Sequence, residues 1–124
     1  MNLDDSDFVV NRGVLTFFDR SGRIMWSGQP SGAPVSQAIP ARSGGGAIVL
    51  LDYMFTSHSP FNNIVRLDMS GHTVWTAALP EGGGADSYVA VREEGGLLLA
   101  NSWSGYQVQL SWLTGTIVAQ VFTK

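Results

Sequence analysis

Three segments of this chain align without gaps, and each turns over on a glycine. They are Phe18-Asp19-Arg20-Ser21-Gly22-Arg23-Ile24-Met25-Trp26, Leu67-Asp68-Met69-Ser70-Gly71-His72-Thr73-Val74-Trp75 and Ser111-Trp112-Leu113-Thr114-Gly115-Thr116-Ile117-Val118-Ala119. The shared pattern is an apolar strand, a turn of the form Asp-x-Ser/Thr-Gly, and an alternating strand. The polar side chain caps the turn backbone, and glycine accepts the positive φ of a tight hairpin.

The repeat extends upstream. The stretch from Ile39 to Tyr53 matches the stretch from Val89 to Trp103 at a spacing of 50, whereas Gly71 and Gly115 lie 44 apart. The difference places a six-residue insertion in the middle unit, between Tyr53 and Ile64. In the last unit, strands are predicted over residues 87–92, 96–103, 106–112 and 116–122, separated by glycine turns. The same register sets Val10 against Trp103 and Asp19 against Trp112, so the first unit starts partway along its second strand. No segment carries a helical apolar period, and 15 glycines interrupt any candidate helix. The expected fold is all-β: antiparallel four-stranded units in a propeller-like or pinwheel array of about three blades, the first incomplete. The units fall near 1–30 (partial), 35–80 and 85–124 within a single domain over 1–124.

Composition narrows the function. A net charge of −3 and a pI near 5.1 leave seven scattered cations, which excludes a nucleic-acid grip built on clustered Lys and Arg. The absence of cysteine removes disulfide and thiolate chemistry. The start, Met1-Asn2-Leu3-Asp4-Asp5-Ser6-Asp7, has no signal-peptide pattern, and no apolar run reaches the ~20 residues of a membrane helix. A soluble cytoplasmic protein with no membrane and no nucleic-acid partner is expected.

The unit running from Asp19 to Trp26, and again from Asp68 to Trp75, resembles the repeat of the PQQ-like (quinoprotein-type) β-propellers. The stretch from Asn101 to Leu110 and the ending Phe122-Thr123-Lys124 are similar to the tail of small bacterial proteins of this type. The resemblance implies that Trp26 and Trp75 pack between neighbouring blades. The cofactor pocket and metal site of the quinoprotein enzymes have no counterpart here, so no cofactor and no dehydrogenase activity are implied. Full propellers have typically 4–8 blades, and unpaired strand edges need cover. The sheets are therefore expected to wrap into a compact three-bladed pinwheel or open barrel, or two chains to combine into a closed, roughly six-bladed ring; a homodimer is expected.

Little in the sequence offers chemistry. His58 and His72 lie in different contexts and lack the further ligands a metal needs. Asp4, Asp5 and Asp7 do not fit a calcium loop. The glycine triplets at 44–46 and 82–84 lack the lysine and helix of a phosphate loop. Glu93 and Glu94 read as a solvated hairpin tip. The suggestive residues are aromatic: Tyr53 beside Asp52, Trp103 beside Ser102, Tyr106, Phe61 in the inserted loop, and Trp112 where the turn Asp belongs. Aromatics rimmed by polar groups mark interfaces and ligand grooves. A non-enzymatic protein–protein binding module is therefore expected. A carbohydrate or small-ligand binder using these aromatics is the alternative, and a hydrolase or lyase with His58 or His72 as base is the weakest reading.

Overall fold

The computed structural model of the chain describes residues 7–42, 45–55, 61–82 and 84–123. The strands are β1 (Asp7–Asn11), β2 (Val14–Phe18), β3 (Ile24–Gly28), β4 (Val35–Pro40), β5 (Ala47–Leu51), β6 (Ile64–Leu67), β7 (Thr73–Thr76), β8 (Tyr88–Glu94), β9 (Leu97–Ser102), β10 (Tyr106–Leu110) and β11 (Ile117–Phe122). A 3₁₀ turn at Pro30–Gly32 joins β3 to β4. The strands form three antiparallel meanders: β1-β2-β3, β4-β5-β6-β7 and β8-β9-β10-β11. The all-β, three-bladed reading holds, and the first blade has the three strands that match the second to fourth of the others. The array is open rather than closed into a ring.

Burial explains why three small sheets hold together. The middle sheet is covered on both faces. Ile48, Leu50, Ile64 and Trp75 pack with Tyr88, Val91, Leu98, Ala100, Val108 and Leu110 of the last sheet. Ala47, Val49, Leu51, Val65 and Leu67 pack with Leu15 and Phe17 of the first. Successive strand residues point to opposite faces, so β5, buried at all five positions, feeds both cores. In β2 only alternate residues are buried. These are the two layers against which each terminal sheet hides its apolar face.

Strand pairing corrects the sequence register in three places. Every outer hairpin carries a bulge at the same point, so Phe18↔Ile24, Leu67↔Thr73 and Leu110↔Ile117 are equivalent pairs. Ser111, not Trp112, therefore stands where Asp19 and Asp68 stand, and the third turn is one residue longer. Its Oγ accepts the N–H groups of Leu113 and Thr114 at 3.2 and 3.3 Å, as Asp19 Oδ1 accepts those of Ser21 and Arg23. A gap-free alignment hides such a step, because the glycine still matches.

On the second strands, Val49↔Val65 corresponds to Ala100↔Val108 and to Val9↔Thr16. Leu51 thus matches Ser102 rather than Asn101, and Asn11 completes a first-blade strand that covers the full five positions. Ile64 matches Gln107. Twelve residues (52–63) then stand against four (103–106), so the insertion is eight rather than six. Residues 56–60 of it, His58 included, lie outside the described residues, as do Asp4 and Asp5.

Candidate functional site

The blade seams account for three of the four tryptophans. Trp26 of the first sheet lies over the turn of the second: a Cβ on Gly71 would sit 2.2 Å from its Cε2. Trp75 of the second sheet does the same to the turn of the third, 2.3 Å from a Cβ on Gly115. Both glycines also hold positive φ, +81° and +72°. Trp112, displaced outward by the longer turn, closes the second seam. Its carbonyl accepts Trp75 Nε1–H at 2.9 Å and Arg66 Nη1–H at 3.0 Å. Its own Nε1–H donates to the Gly96 carbonyl at 3.0 Å, beside Arg42, whose guanidinium stacks 5.4 Å above the indole. With its carbonyl and indole N–H engaged and its ring against the core, Trp112 is placed as a seam residue.

The other aromatic candidates lie at the opposite end of the sheets: Tyr53, Phe61 and Trp103 on the connections between second and third strands, and Tyr106 at the start of β10. Tyr53 and Trp103 meet there, ring centroids 5.8 Å apart at 31°. Tyr53 is half-buried while Trp103 is 62% exposed. Beside Tyr53, Met54 is 75% and Phe55 50% exposed. An Asx turn shapes this run: Asp52 Oδ1 accepts the Met54 N–H at 2.9 Å, and the Asp52 carbonyl accepts the Phe55 N–H at 3.0 Å. Phe61 does not join the exposed group. It is half-buried against the core between the first and middle sheets, its N–H donating to the Asp86 carbonyl at 3.0 Å. Tyr106 is half-buried against the core between the middle and last sheets, 5.1 Å from Phe122.

Buried polar residues fix the floor of this patch. Asn63 Nδ2 donates to the carbonyls of Leu51 (2.9 Å) and Tyr88 (2.7 Å), and its Oδ1 accepts the Tyr88 N–H at 2.7 Å. The same side chain thus ties the end of β5 to the start of β8. Asp86 receives the Ser104 N–H and hydroxyl at 3.0 and 2.5 Å, holding the tight turn that presents Trp103. Tyr88 donates its hydroxyl to the Ala78 carbonyl at 2.5 Å, and burial followed by the nearby Asp86 charge pushes its phenol well above the usual range. None of these residues is recognisable from sequence patterns, because Asn63 and Tyr88 answer to partners in another blade and Asp86 to Ser104, 18 positions away.

Groups suited to catalysis are dispersed. His72 is exposed on a hairpin, 3.6 Å from Asp68 Oδ2. Among the described residues no three His, Cys, Asp or Glu side chains gather to hold a metal, and no helix is long and apolar enough to cross a membrane. Glu94 pairs with Arg92 at 3.0 Å on an exposed face, so the adjacent glutamates present no shared acid/base site.

Fold and site together define a propeller-like scaffold with an aromatic patch at one end. The chain belongs to the family described as a domain of unknown function (DUF7957), which it matches over residues 33–122. No curated protein matches it. Among solved structures it is similar to BamB from Moraxella catarrhalis, with a TM-score of 0.64 and 17% identity, over 98% of this chain and 34% of that one. A protein of unknown function from Bacteroides caccae aligns with a TM-score of 0.51 and 14% identity, over 96% of this chain and 42% of that one. The chain spans well under half the length of either. The likeness supports the propeller-like fold.

Proposed function

We propose that the protein is a non-enzymatic binding module that docks another protein through the patch of Trp103, Tyr53, Met54 and Phe55. The observation carrying this reading is the exposed indole of Trp103 packed at a tilt against Tyr53, beside two exposed apolar side chains. Trp, Tyr and Met are enriched at interface cores, where rigid aromatics bury much area at small entropic cost. The three-residue turn behind Trp103 and the Asp86 and Asn63 anchors keep the patch fixed, which lowers the cost of binding.

The test is an affinity purification from the native host with the wild-type chain and the Trp103→Ala and Phe55→Ala variants. A stoichiometric partner retained by the wild type and lost by both folded variants is expected. Retention of that partner by both variants removes the patch from the function. The Tyr53–Trp103 pair also suits a sugar ring, the second reading. Quenching of Trp fluorescence by a glycan, abolished in Trp103→Ala, would favour that reading instead.

A further inference from the structure

The seam rule that joins the blades is unsatisfied at one end of the array and dismantled at the other. In each seam a tryptophan of one blade covers the turn glycine of the next: Trp26 over Gly71, Trp75 over Gly115. Gly22 is the same glycine in the first blade, with φ +86°, and among the described residues nothing comes within 4 Å of a Cβ built on it. In the last blade the tryptophan itself is missing. The pairs Phe17↔Trp26, Arg66↔Trp75 and Gln109↔Ala119 are equivalent, so Ala119 occupies the indole position.

The two outer faces differ accordingly. On the middle blade, Ile39, Leu50 and Ile64 face the last blade; the last blade carries Arg92, Asn101 and Gln107 at those places. Arg92 donates from Nη1 to Asn101 Oδ1 (2.7 Å), from Nη2 to Gln107 Oε1 (3.1 Å) and from Nε to Glu94 Oε2 (3.0 Å). A self-satisfied polar ladder of this kind caps a terminal repeat, since covering it with an apolar sheet would strip hydration from a charge and two amides. The first blade's free face keeps Val9, 50% exposed, with Phe18 and Ile24, 64% exposed, where the middle blade has Val49, Leu67 and Thr73. Its two hydroxyls, Thr16 and Ser27, bond to each other at 2.8 Å. Arg20 and Arg23 flank Gly22 and are exposed.

We propose that the outer face of the first blade is an acceptor for a β-sheet of another protein that lays an indole over Gly22 and carries carboxylates opposite Arg20 and Arg23. A second copy of this chain does not supply that sheet head to tail, because its free end offers Ala119 and the Arg92 ladder. This surface is separate from the Trp103 patch.

The acceptor can be probed with the chain's own blade. A donor variant carries Ala119→Trp, Arg92→Ile, Asn101→Leu and Gln107→Ile, which reproduces the middle blade's seam, together with Gly22→Asn to block its own acceptor. Asparagine tolerates positive φ, and its Cβ occupies the space the indole needs. Sedimentation velocity of an equimolar mixture with the wild type is expected to show a one-to-one complex. The complex is lost when the wild type is replaced by its Gly22→Asn variant and kept when it is replaced by Trp103→Ala. A folded donor that sediments apart from the wild type overturns the proposal. Should the donor not fold, the double variant Ala119→Trp with Arg92→Leu serves, which supplies the indole and removes the charge at the centre of the polar ladder. It is expected to self-associate with rising concentration, and to lose this with Gly22→Asn; a monomer throughout the range overturns the proposal.

Discussion

Trp75 lies over Gly115 so closely that a Cβ on the glycine would come within 2.3 Å of the ring's Cε3. The seam between the second and third blades is therefore a backbone-to-indole contact that no side chain at 115 can share. The same holds for Trp26 and Gly71 but not for Gly22, whose Cβ would meet nothing within 4 Å among the described residues. Replacement of each by alanine separates backbone strain from packing. Gly22→Ala meets only the positive-φ cost, about 1–2 kcal/mol. Gly71→Ala and Gly115→Ala must also displace an indole and are expected to lose about 2 kcal/mol more, as overpacked sites do. Urea midpoints of the three variants provide the comparison. Equal losses at all three positions would show that the seam contact contributes nothing.

Asn63 joins two blades with three hydrogen bonds to the backbone. Asn63→Ala leaves the buried Tyr88 N–H and two carbonyls short of partners, at about 1–3 kcal/mol for each group left unsatisfied. A total loss of about 3 kcal/mol or more is expected in chemical denaturation, larger than for Asn62→Ala, whose side chain makes one bond, to the Ala77 carbonyl.

Tyr88 makes the stability fall at alkaline pH. Its folded-state pKa is raised above the ordinary value of 10.0 by burial first and by the Asp86 charge second. The unfolded chain therefore releases the phenolic proton first, so the contribution is intact below about pH 10 and is lost as pH rises beyond it. Thermal melts between about pH 9 and pH 11 are expected to shift down in the wild type. Tyr88→Phe removes this component of the slope, at a cost near neutrality of about 1 kcal/mol for the lost bond to Ala78.

Trp103 and Trp112 part company on substitution. Trp103→Ala removes an exposed ring and is expected to change stability by no more than about 0.5 kcal/mol. Trp112→Ala opens the seam, frees Arg42 from its stacking partner and leaves the Gly96 carbonyl with one donor fewer, for a loss of about 2–3 kcal/mol. Fluorescence-detected unfolding of the two variants checks the contrast. Comparable losses would place Trp103 in the framework.

Much of this division could be read from the residues. The glycine turns and their polar caps are local chemistry, and Asp19 and Asp68 do what such residues do in any chain. The apolar run Ala47-Ile48-Val49-Leu50-Leu51 belongs to the strand buried on both faces, whereas Leu97 to Ser102 alternates, as a strand in a terminal sheet must. Registers one residue out were not detectable. Such a slip leaves the pattern of apolar residues similar while turning every side chain to the other face, and only pairing shows that Ser111 rather than Trp112 takes the cap position. For the same reason the five aromatic candidates looked alike in sequence, although the fold seats Trp112 in a seam and exposes Trp103.

Local chemistry alone makes this chain form repeated antiparallel hairpins turning on glycine, because turn geometry and strand alternation depend on neighbours a few residues away. Tertiary structure decided which tryptophan covers which glycine, which loop carries the exposed patch, and which end of the array is capped. Those outcomes depend on contacts between residues tens of positions apart, such as Trp75 with Gly115 and Arg66 with Trp112. Their partners are fixed only once the sheets have stacked.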